Sequence, residues 1–151
     1  MAFFLNKEQV REQVKQRLKD NGYRVTSQRL AIVELLFDLE HPTADEIYQS
    51  LTSEFSNMSL ATVYNTLHSL ENIGTVRGFS CGEKCFRYEL YQENHHHLIC
   101  NECSKIVDIF LETCIDTAKV AEQTGFKNVT ESVEFRGICA ECADKLSAPA
   151  D

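Results

Sequence analysis

Two cysteine pairs with the same internal spacing constrain this chain more than any other feature. They are Cys100-x-x-Cys103 and Cys139-x-x-Cys142. A C-x-x-C pair places two thiolates on one tetrahedral Zn²⁺, and two such pairs complete a closed structural site. The separation of the pairs exceeds the usual zinc-ribbon spacing. We therefore expect one Zn²⁺ to join two distant segments of a domain, with tandem redox disulfides as the alternative interpretation.

The composition of the chain allows one domain or two small ones. It has 151 residues, of which 43% are hydrophobic, enough to bury a core. We find no apolar run of membrane-spanning length, and residues 1–7 lack the pattern of a signal peptide. A cytoplasmic location is the default expectation. In a reducing compartment, seven cysteines favour metal ligation or redox sensing over disulfides.

The charge is acidic and uneven along the chain. A formal net charge of −8 argues against a protein that coats nucleic acid non-specifically. It does not exclude specific DNA binding, because phosphate contacts depend on local charge. Residues 1–78 hold 8 Lys/Arg and 10 Asp/Glu, whereas residues 79–151 hold 7 and 13. The second half is therefore the better place for bound cations.

The first half has the pattern of a winged helix-turn-helix. Hydrophobic periodicity and capping residues predict four helices. These are residues 7–19, a helix capped by Thr26 or Ser27, a helix capped by Thr43 with Glu46 in a capping box, and Leu60–Asn72 capped by Ser59. Two strand-like runs follow at 75–79 and 85–91. Helices followed by a hairpin favour a winged helix-turn-helix; a helical bundle with an added hairpin is the alternative.

The second half predicts a small α/β domain. We expect strands at 98–100 and 105–110 around the first cysteine pair, a helix at 111–124 and a strand at 129–135. The expected inward face of that helix consists of Leu111, Ile115, Ala118 and Ala121. The predicted fold is thus α+β. The expected divisions are a winged-helix DNA-binding domain at 1–88, a hinge at 89–94, and an α/β dimerisation and zinc-binding domain at 95–151.

A histidine run at the predicted hinge suggests a second metal site. Because side chains alternate along a strand, His95 and His97 should share one face. With Glu89 upstream and Asp108 downstream they form a mixed N/O set suited to Fe²⁺, Mn²⁺ or Zn²⁺. A solvated polar run is the alternative interpretation. If the hinge also brings His41 to this set, the metal would favour one relative orientation of the halves and act as a switch.

Two segments are candidates for DNA contact. Short polar and aromatic groups at the start of the fourth helix can reach phosphates and base edges; they are Ser59, Thr62, Tyr64 and Asn65. The start of the second helix offers a phosphate anchor through Arg24, Thr26, Gln28 and Arg29. An ordinary surface helix with a buried apolar face is the alternative interpretation of the first segment.

With these residues in place, the chain resembles the ferric uptake regulator (Fur) superfamily over nearly its whole length. The matching segments are residues 24–29, 41–48, 59–64, 95–103 and 137–142. The resemblance implies a homodimeric, metal-dependent repressor that binds a pseudo-palindromic double-stranded DNA operator. It implies a structural Zn²⁺ on Cys100, Cys103, Cys139 and Cys142. It implies a regulatory Fe²⁺ or Mn²⁺ on His41, Glu89, His95, His97 and Asp108.

Within this family, Asn65 and Asp108 resemble the peroxide-responsive (PerR) branch. The resemblance implies that peroxide reacts at bound Fe²⁺, oxidises His41 or His95 and releases the DNA. Glu89 departs from this pattern, because the PerR branch usually has aspartate there and the iron-sensing branch glutamate. A Fur-type iron-responsive repressor is therefore the alternative, and it predicts DNA binding that survives peroxide.

The predicted zinc site argues against an enzyme. We do not expect turnover, because four thiolates leave zinc no open position for substrate. A zinc protein that binds only other proteins is a further alternative.

A third metal site of the family stays unassigned, since His96 could contribute but Glu131 stands where histidine is common. Cys81, Cys85 and Cys114 are expected to be inert thiols. The first two could instead form a redox pair across the hairpin turn.

Overall fold

The chain divides into two compact units, Met1–Glu93 and Asn94–Asp151. A computed structural model describes residues 6–82, 85–91, 95–112, 115–131 and 133–147. These described residues form six helices and five strands. None of the helices in this part of the chain is long and apolar enough to cross a bilayer.

Four helices form most of the first unit. They are α1 (Lys7–Asp20), α2 (Ser27–Leu39), α3 (Ala44–Leu51) and α4 (Leu60–Asn72). The predicted caps are present, because the side chains of Thr26, Thr43 and Ser59 each accept a backbone N–H of the first turn. The Glu46 side chain accepts a hydrogen bond from the backbone N–H of Thr43 and completes the predicted capping box. Such caps satisfy N–H groups that the helix itself leaves without partners.

A two-stranded hairpin completes the first unit. Strand β1 (Val76–Gly82) pairs antiparallel with β2 (Cys85–Leu90), so β1 runs past the predicted end at residue 79. Val76 and Tyr88 of the hairpin are buried in the same apolar cluster as residues of all four helices. The hairpin is therefore part of the core, and the winged helix-turn-helix prediction is confirmed over a bundle with an added hairpin.

The second unit is a small α/β arrangement, which confirms the α+β prediction. Its sheet has the order β4-β3-β5. The elements are β3 (His96–Cys100), β4 (Ile106–Ile109), α5 (Thr117–Thr124), β5 (Glu134–Gly137) and α6 (Ala140–Ser147). Strand β3 pairs antiparallel with β4 and parallel with β5.

The predicted helix at 111–124 is wrong for the described residues 111–112 and 115–116. Helix α5 starts only after Asp116, whose side chain caps it. Residues 113–114, and with them Cys114, lie outside the described residues. The predicted inward face is also wrong, because α5 has no buried residue and Leu111 and Ile115 are about half exposed. The apolar spacing indicates a helix face but does not say which surface that face covers.

Two further boundaries differ from the sequence prediction. The strand expected at 129–135 is wrong for its first part, because β5 begins at Glu134 opposite His97 of β3. Cross-strand pairing, not local alternation, decides where this strand lies. Helix α6 was not predicted at all. The proposed hinge at 89–94 begins inside β2, and residues 92–94 lie outside the described part of the chain.

Candidate metal centres and nucleic-acid interface

The sheet of the second unit brings the two cysteine pairs together. Cys100 ends β3 and lies opposite Gly137 of β5, two residues before Cys139. The ligand atoms of all four cysteines lie within 4.8 Å of one another, and the sulfurs of Cys103 and Cys139 are 3.7 Å apart. Two sulfurs on one tetrahedral zinc lie about 3.8 Å apart, because each Zn–S bond is about 2.3 Å long. The four side chains therefore fit a structural Zn²⁺.

The electrostatics of the cysteine cluster also suit a cation. The backbone N–H of Cys139 donates to the sulfur of Cys100 at 3.3 Å and, with other backbone hydrogen bonds, lowers the pKa of Cys100 to about 6. Contacts with the sulfurs of Cys139 and Cys103, together with burial, raise the pKa of Cys142 to about 12. Four thiolates this close would repel one another, and a divalent cation bound between them would keep all of them ionised.

In the first unit, His41 and Glu89 form one pair of potential metal ligands. The loop that carries His41 is fixed to strand β2, because the N–H of Tyr88 donates to the carbonyl of Pro42 at 2.9 Å. This contact places His41 next to Glu89, and His41 Nε2 lies 3.3 Å from Glu89 Oε2. Both residues are buried, with 9% and 3% of their surface exposed. A buried carboxylate requires a positive partner or hydrogen bonds.

Two arginines hold this pair in place. Arg77 lies opposite Glu89 across the hairpin, and its guanidinium contacts Glu89 Oε1 at 2.6 Å through Nε and Nη2. The other carboxylate oxygen therefore faces His41. Arg87 donates to the backbone carbonyl of His41 at 2.6 Å. The ring of Phe79 packs edge-on against the imidazole at 5.7 Å between centroids.

In the second unit, His95, His97 and Asp108 form a second set. His97 lies directly opposite Asp108 in the β3–β4 register. Asp108 Oδ1 is 3.6 Å from His97 Nε2 and 3.8 Å from His95 Nε2. The two imidazole rings lie 5.0 Å apart, as expected for residues on one face. His96 instead packs near Phe135 on the other face, with 6.1 Å between ring centroids.

Both sets have spacings that metal ligands adopt. Donor atoms bound about 2.1 Å from one ion lie roughly 3–4 Å apart, and all three N···O distances fall in this range. Imidazole and carboxylate ligands suit Fe²⁺, Mn²⁺ and Zn²⁺. Each set therefore fits part of a divalent-metal site. Among the described residues, neither His95 nor His96 belongs to a group of three or more potential ligands whose atoms all lie within 4.8 Å of one another. His95 is therefore a candidate ligand through its 3.8 Å contact with Asp108, and no residues are assigned to the third site.

The candidate DNA residues lie at the starts of α2 and α4. Ser59 accepts from the N–H of Thr62 at 3.1 Å, and the two hydroxyl oxygens are 2.8 Å apart. Tyr64 and Asn65 are exposed on the next turn. Side chains at this position of a second, recognition helix can enter a major groove.

At the start of α2, three of the residues predicted to contact DNA also have structural roles. Thr26 caps the helix, and Arg29 donates to the carbonyl of Arg24 at 2.5 Å while its guanidinium lies 5.6 Å from the centre of the Tyr23 ring. Gln28 donates to the side chain of Asn57 at 3.2 Å. This bond joins the start of α2 to the loop before α4.

Comparison with known proteins identifies relatives over most of the chain. The model of the Ferric uptake regulator family matches residues 20–136. A peroxide-responsive repressor PerR of Staphylococcus saprophyticus is 41% identical over 130 residues, which cover 85% of this chain and 88% of that protein.

Solved structures show the same fold. The PerR of Streptococcus pyogenes, described in relation to peroxide sensing and gene regulation, is 35% identical with a TM-score of 0.52, and the match covers 88% of this chain and 92% of that one. The ferric uptake regulator of Helicobacter pylori, described with three functional metal binding sites, is 25% identical with a TM-score of 0.72. That match covers 95% of this chain and 97% of the other.

Proposed function

This chain belongs to the ferric uptake regulator family, and we propose that it is a peroxide-responsive, metal-dependent transcriptional repressor. The observation that carries the proposal is the 41% identity to a peroxide-responsive repressor over 85% of the chain. A winged helix-turn-helix unit and a cysteine cluster that fits zinc agree with it. The family consists of transcriptional regulators, and we propose no enzymatic turnover.

We propose that Cys100, Cys103, Cys139 and Cys142 bind the structural Zn²⁺. This ion would replace a hydrophobic core that the second unit largely lacks. Among its described residues, the buried hydrophobic side chains are only Ile99, Cys100 and Cys142. Small domains with few buried residues commonly depend on metals for stability.

We propose that His41 and Glu89 of one unit and His95, His97 and Asp108 of the other bind one regulatory Fe²⁺ or Mn²⁺. Two ligands from the first unit alone are too few for tight binding of a divalent ion. An ion with ligands on both units binds more tightly when the units have one particular relative orientation, and this difference in affinity favours that orientation. When bound, ferrous iron supplies the electrons that reduce peroxide. The ligand imidazoles of His41 and His95 are then the side chains exposed to oxidation.

We further propose a homodimer that binds double-stranded DNA. Large apolar side chains of the second unit are exposed to an extent unusual for an isolated domain. They are Leu98, Val107, Phe110, Leu111, Ile115, Val120, Phe126, Ile138 and Leu146. A second copy that covers this surface would place two α4 helices on successive half-sites of a pseudo-palindromic operator, with Ser59, Thr62, Tyr64 and Asn65 toward the bases.

DNA binding before and after peroxide tests the proposal. A duplex selected from a random pool on the Mn²⁺-loaded protein serves as probe, and fluorescence anisotropy reports binding. We expect tight binding with Mn²⁺ or Fe²⁺, weak binding without either, and loss of binding after peroxide only in the Fe²⁺ form. The variant His95→Ala should lose the metal dependence. If it keeps full metal-dependent binding, the ligand assignment is wrong.

A second candidate function rests on Glu89. The family resemblance associates glutamate at this position with Fur-type iron sensors, and its additional methylene relative to aspartate changes how the carboxylate reaches the ion. This candidate predicts iron-dependent DNA binding that a chelator reverses and peroxide does not. The same anisotropy experiment separates the two functions, because only the peroxide-treated Fe²⁺ sample differs between them.

A further inference from the structure

Two cysteines that neither metal site uses lie at the end of the β1–β2 hairpin. Cys81 and Cys85 are joined by a disulfide, with their Cα atoms 5.0 Å apart. This separation lies within the range that disulfides span without backbone movement. The strands pair Ser80 with Phe86 and Gly82 with Cys85, so the register shifts at Cys81. A bulge of this kind changes the direction of a side chain, and here it occurs at one of the two bonded cysteines.

The surroundings of this pair favour redox chemistry over the alternatives. The sequence separation is only four, and so short a ring restricts the unfolded chain less than a long loop does. Among the described residues, neither sulfur belongs to a group of three or more potential metal ligands. By contrast, the four cysteines of the zinc cluster are free thiols. A static stabilising role and a metal role are thus both poorly supported.

We propose that Cys81 and Cys85 form a reversible dithiol–disulfide pair that hydroperoxides oxidise, a second redox site that needs no bound metal. Cys81 is only 4% exposed, whereas Cys85 is partly exposed. Peroxide therefore reaches Cys85 first, and Cys81 is the resolving cysteine. The inference goes beyond the proposed function, because it stands whether or not the regulatory metal responds to peroxide.

The chemistry balances with peroxide as the only oxidant. The thiolate of Cys85 attacks one oxygen of hydrogen peroxide, the O–O bond breaks, and hydroxide leaves while Cys85 becomes a sulfenic acid. The thiol of Cys81 then attacks that sulfur, and the S–S bond forms as water leaves. The proton of the Cys81 thiol leaves in that water, and the proton that Cys85 released on forming its thiolate neutralises the hydroxide of the first step. In sum, two thiols and one peroxide give one disulfide and two waters. Two equivalents of an external thiol then restore Cys81 and Cys85 by exchange and are themselves oxidised to a disulfide.

Oxidation has a defined mechanical consequence for the hairpin. The disulfide closes the end of the β1–β2 hairpin, whereas Val76 and Tyr88 are buried in the apolar core and are not part of that link. We therefore expect the end of the hairpin to be less mobile when oxidised. Backbone amides of residues 78–82 and 85–87 should exchange their hydrogens more slowly in the disulfide form.

The test uses the full-length, zinc-containing protein loaded with Mn²⁺, so that iron-dependent histidine oxidation does not contribute. The reduced protein is treated with one equivalent of hydrogen peroxide, alkylated and digested. We expect a peptide that contains Cys81 and Cys85, is two mass units lighter than the dithiol and is not alkylated; dithiothreitol should restore alkylation. If both cysteines remain alkylated while peroxide is consumed, or if either pairs elsewhere, the proposal is overturned.

Matched variants test the assigned roles. Cys81→Ser should accumulate a dimedone-reactive sulfenic acid at Cys85, whereas Cys85→Ser should show little reaction at Cys81. Cys114→Ser is the control and should form the same internal disulfide as the parent. Equal sulfenic acid formation in the two hairpin variants would contradict the assigned order. Slower amide exchange on oxidation should appear in Cys114→Ser and be absent from both hairpin variants.

Discussion

The contact between Arg77 and Glu89 predicts that an arginine outside the proposed ligand set controls metal affinity. The guanidinium fixes Glu89 Oε1 at 2.6 Å, which leaves the other oxygen beside His41 Nε2. The Arg77 side chain is 38% exposed, whereas that of Glu89 is 4% exposed. In Arg77→Ala, a buried carboxylate loses the group that orients it. We expect the variant to bind Mn²⁺ more weakly.

Two opposing effects determine how much Mn²⁺ affinity the Arg77→Ala variant loses. Loss of the positive charge removes a repulsion toward the incoming cation, but this charge is partly exposed and is therefore screened by water and salt. Loss of the orienting contact means that metal binding must immobilise the Glu89 side chain, at a cost of about 0.5–1.5 kcal/mol. Residues that hydrogen-bond to metal ligands typically contribute about 10–100-fold in affinity. The two ranges meet at about tenfold, so we expect a decrease of about tenfold in Mn²⁺ affinity, or about 1.4 kcal/mol.

A competition titration of Mn²⁺ against a chelating dye measures this effect on zinc-containing protein. Arg77→Lys retains the charge without the planar fork and should have intermediate affinity. Arg11→Ala removes the arginine of a more exposed pair with Glu34 and should bind Mn²⁺ like the parent. If Arg77→Ala binds Mn²⁺ as tightly as the parent or more tightly, charge competition dominates and the orienting role is refuted.

Three further predictions test the zinc cluster, the capping box and the DNA interface. Cys103→Ser, or removal of zinc by a chelator, should unfold the second unit while the α1–α4 helical signal persists in circular dichroism and NMR; native spectra from protein verified to be zinc-free would contradict this. Thr43→Ala should lower the free energy of unfolding, measured in urea, by about 1 kcal/mol. The control Thr52→Ala removes no N-cap and should lower it less. Equal decreases in the two variants would argue against the capping box. Asn65→Ala should weaken binding to the selected duplex by about 1–3 kcal/mol without changing the free energy of unfolding. Leu67→Ala, by contrast, should lower the free energy of unfolding by about 2–5 kcal/mol. If Asn65→Ala binds the duplex as tightly as the parent, Asn65 is not part of the DNA interface.

The first unit was predictable because its signals are local. A capping residue and its partner three positions later, as in Thr43 and Glu46, specify a helix start without any tertiary information. The clustering of Cys100, Cys103, Cys139 and Cys142 was predictable from their spacing alone. The Arg77 contact was not, because it depends on the hairpin register that places Arg77 opposite Glu89. Opposite charges on two strands of a predicted hairpin are the one signal that could have indicated it.

The second unit was harder to predict because its elements depend on non-local pairing. Strand β5 lies where β3 pairs with it, from His97 with Glu134 to Cys100 with Gly137, and the local alternation at 129–135 gave a different position. The apolar spacing from Leu111 to Ala121 suggested a buried helix face. That surface is instead largely exposed in the single chain, as expected if a second copy covers it.

The most direct test of the central claim is a map of histidine oxidation. The protein is loaded with Fe²⁺ without oxygen, exposed to a low concentration of peroxide, and digested for mass spectrometry of the peptides that contain His41 and His95. The account predicts one added oxygen on one of these histidines, absent from the Mn²⁺-loaded protein, together with loss of DNA binding. Unmodified histidines in an iron-loaded protein that still binds DNA would contradict peroxide sensing and favour the iron-sensing alternative.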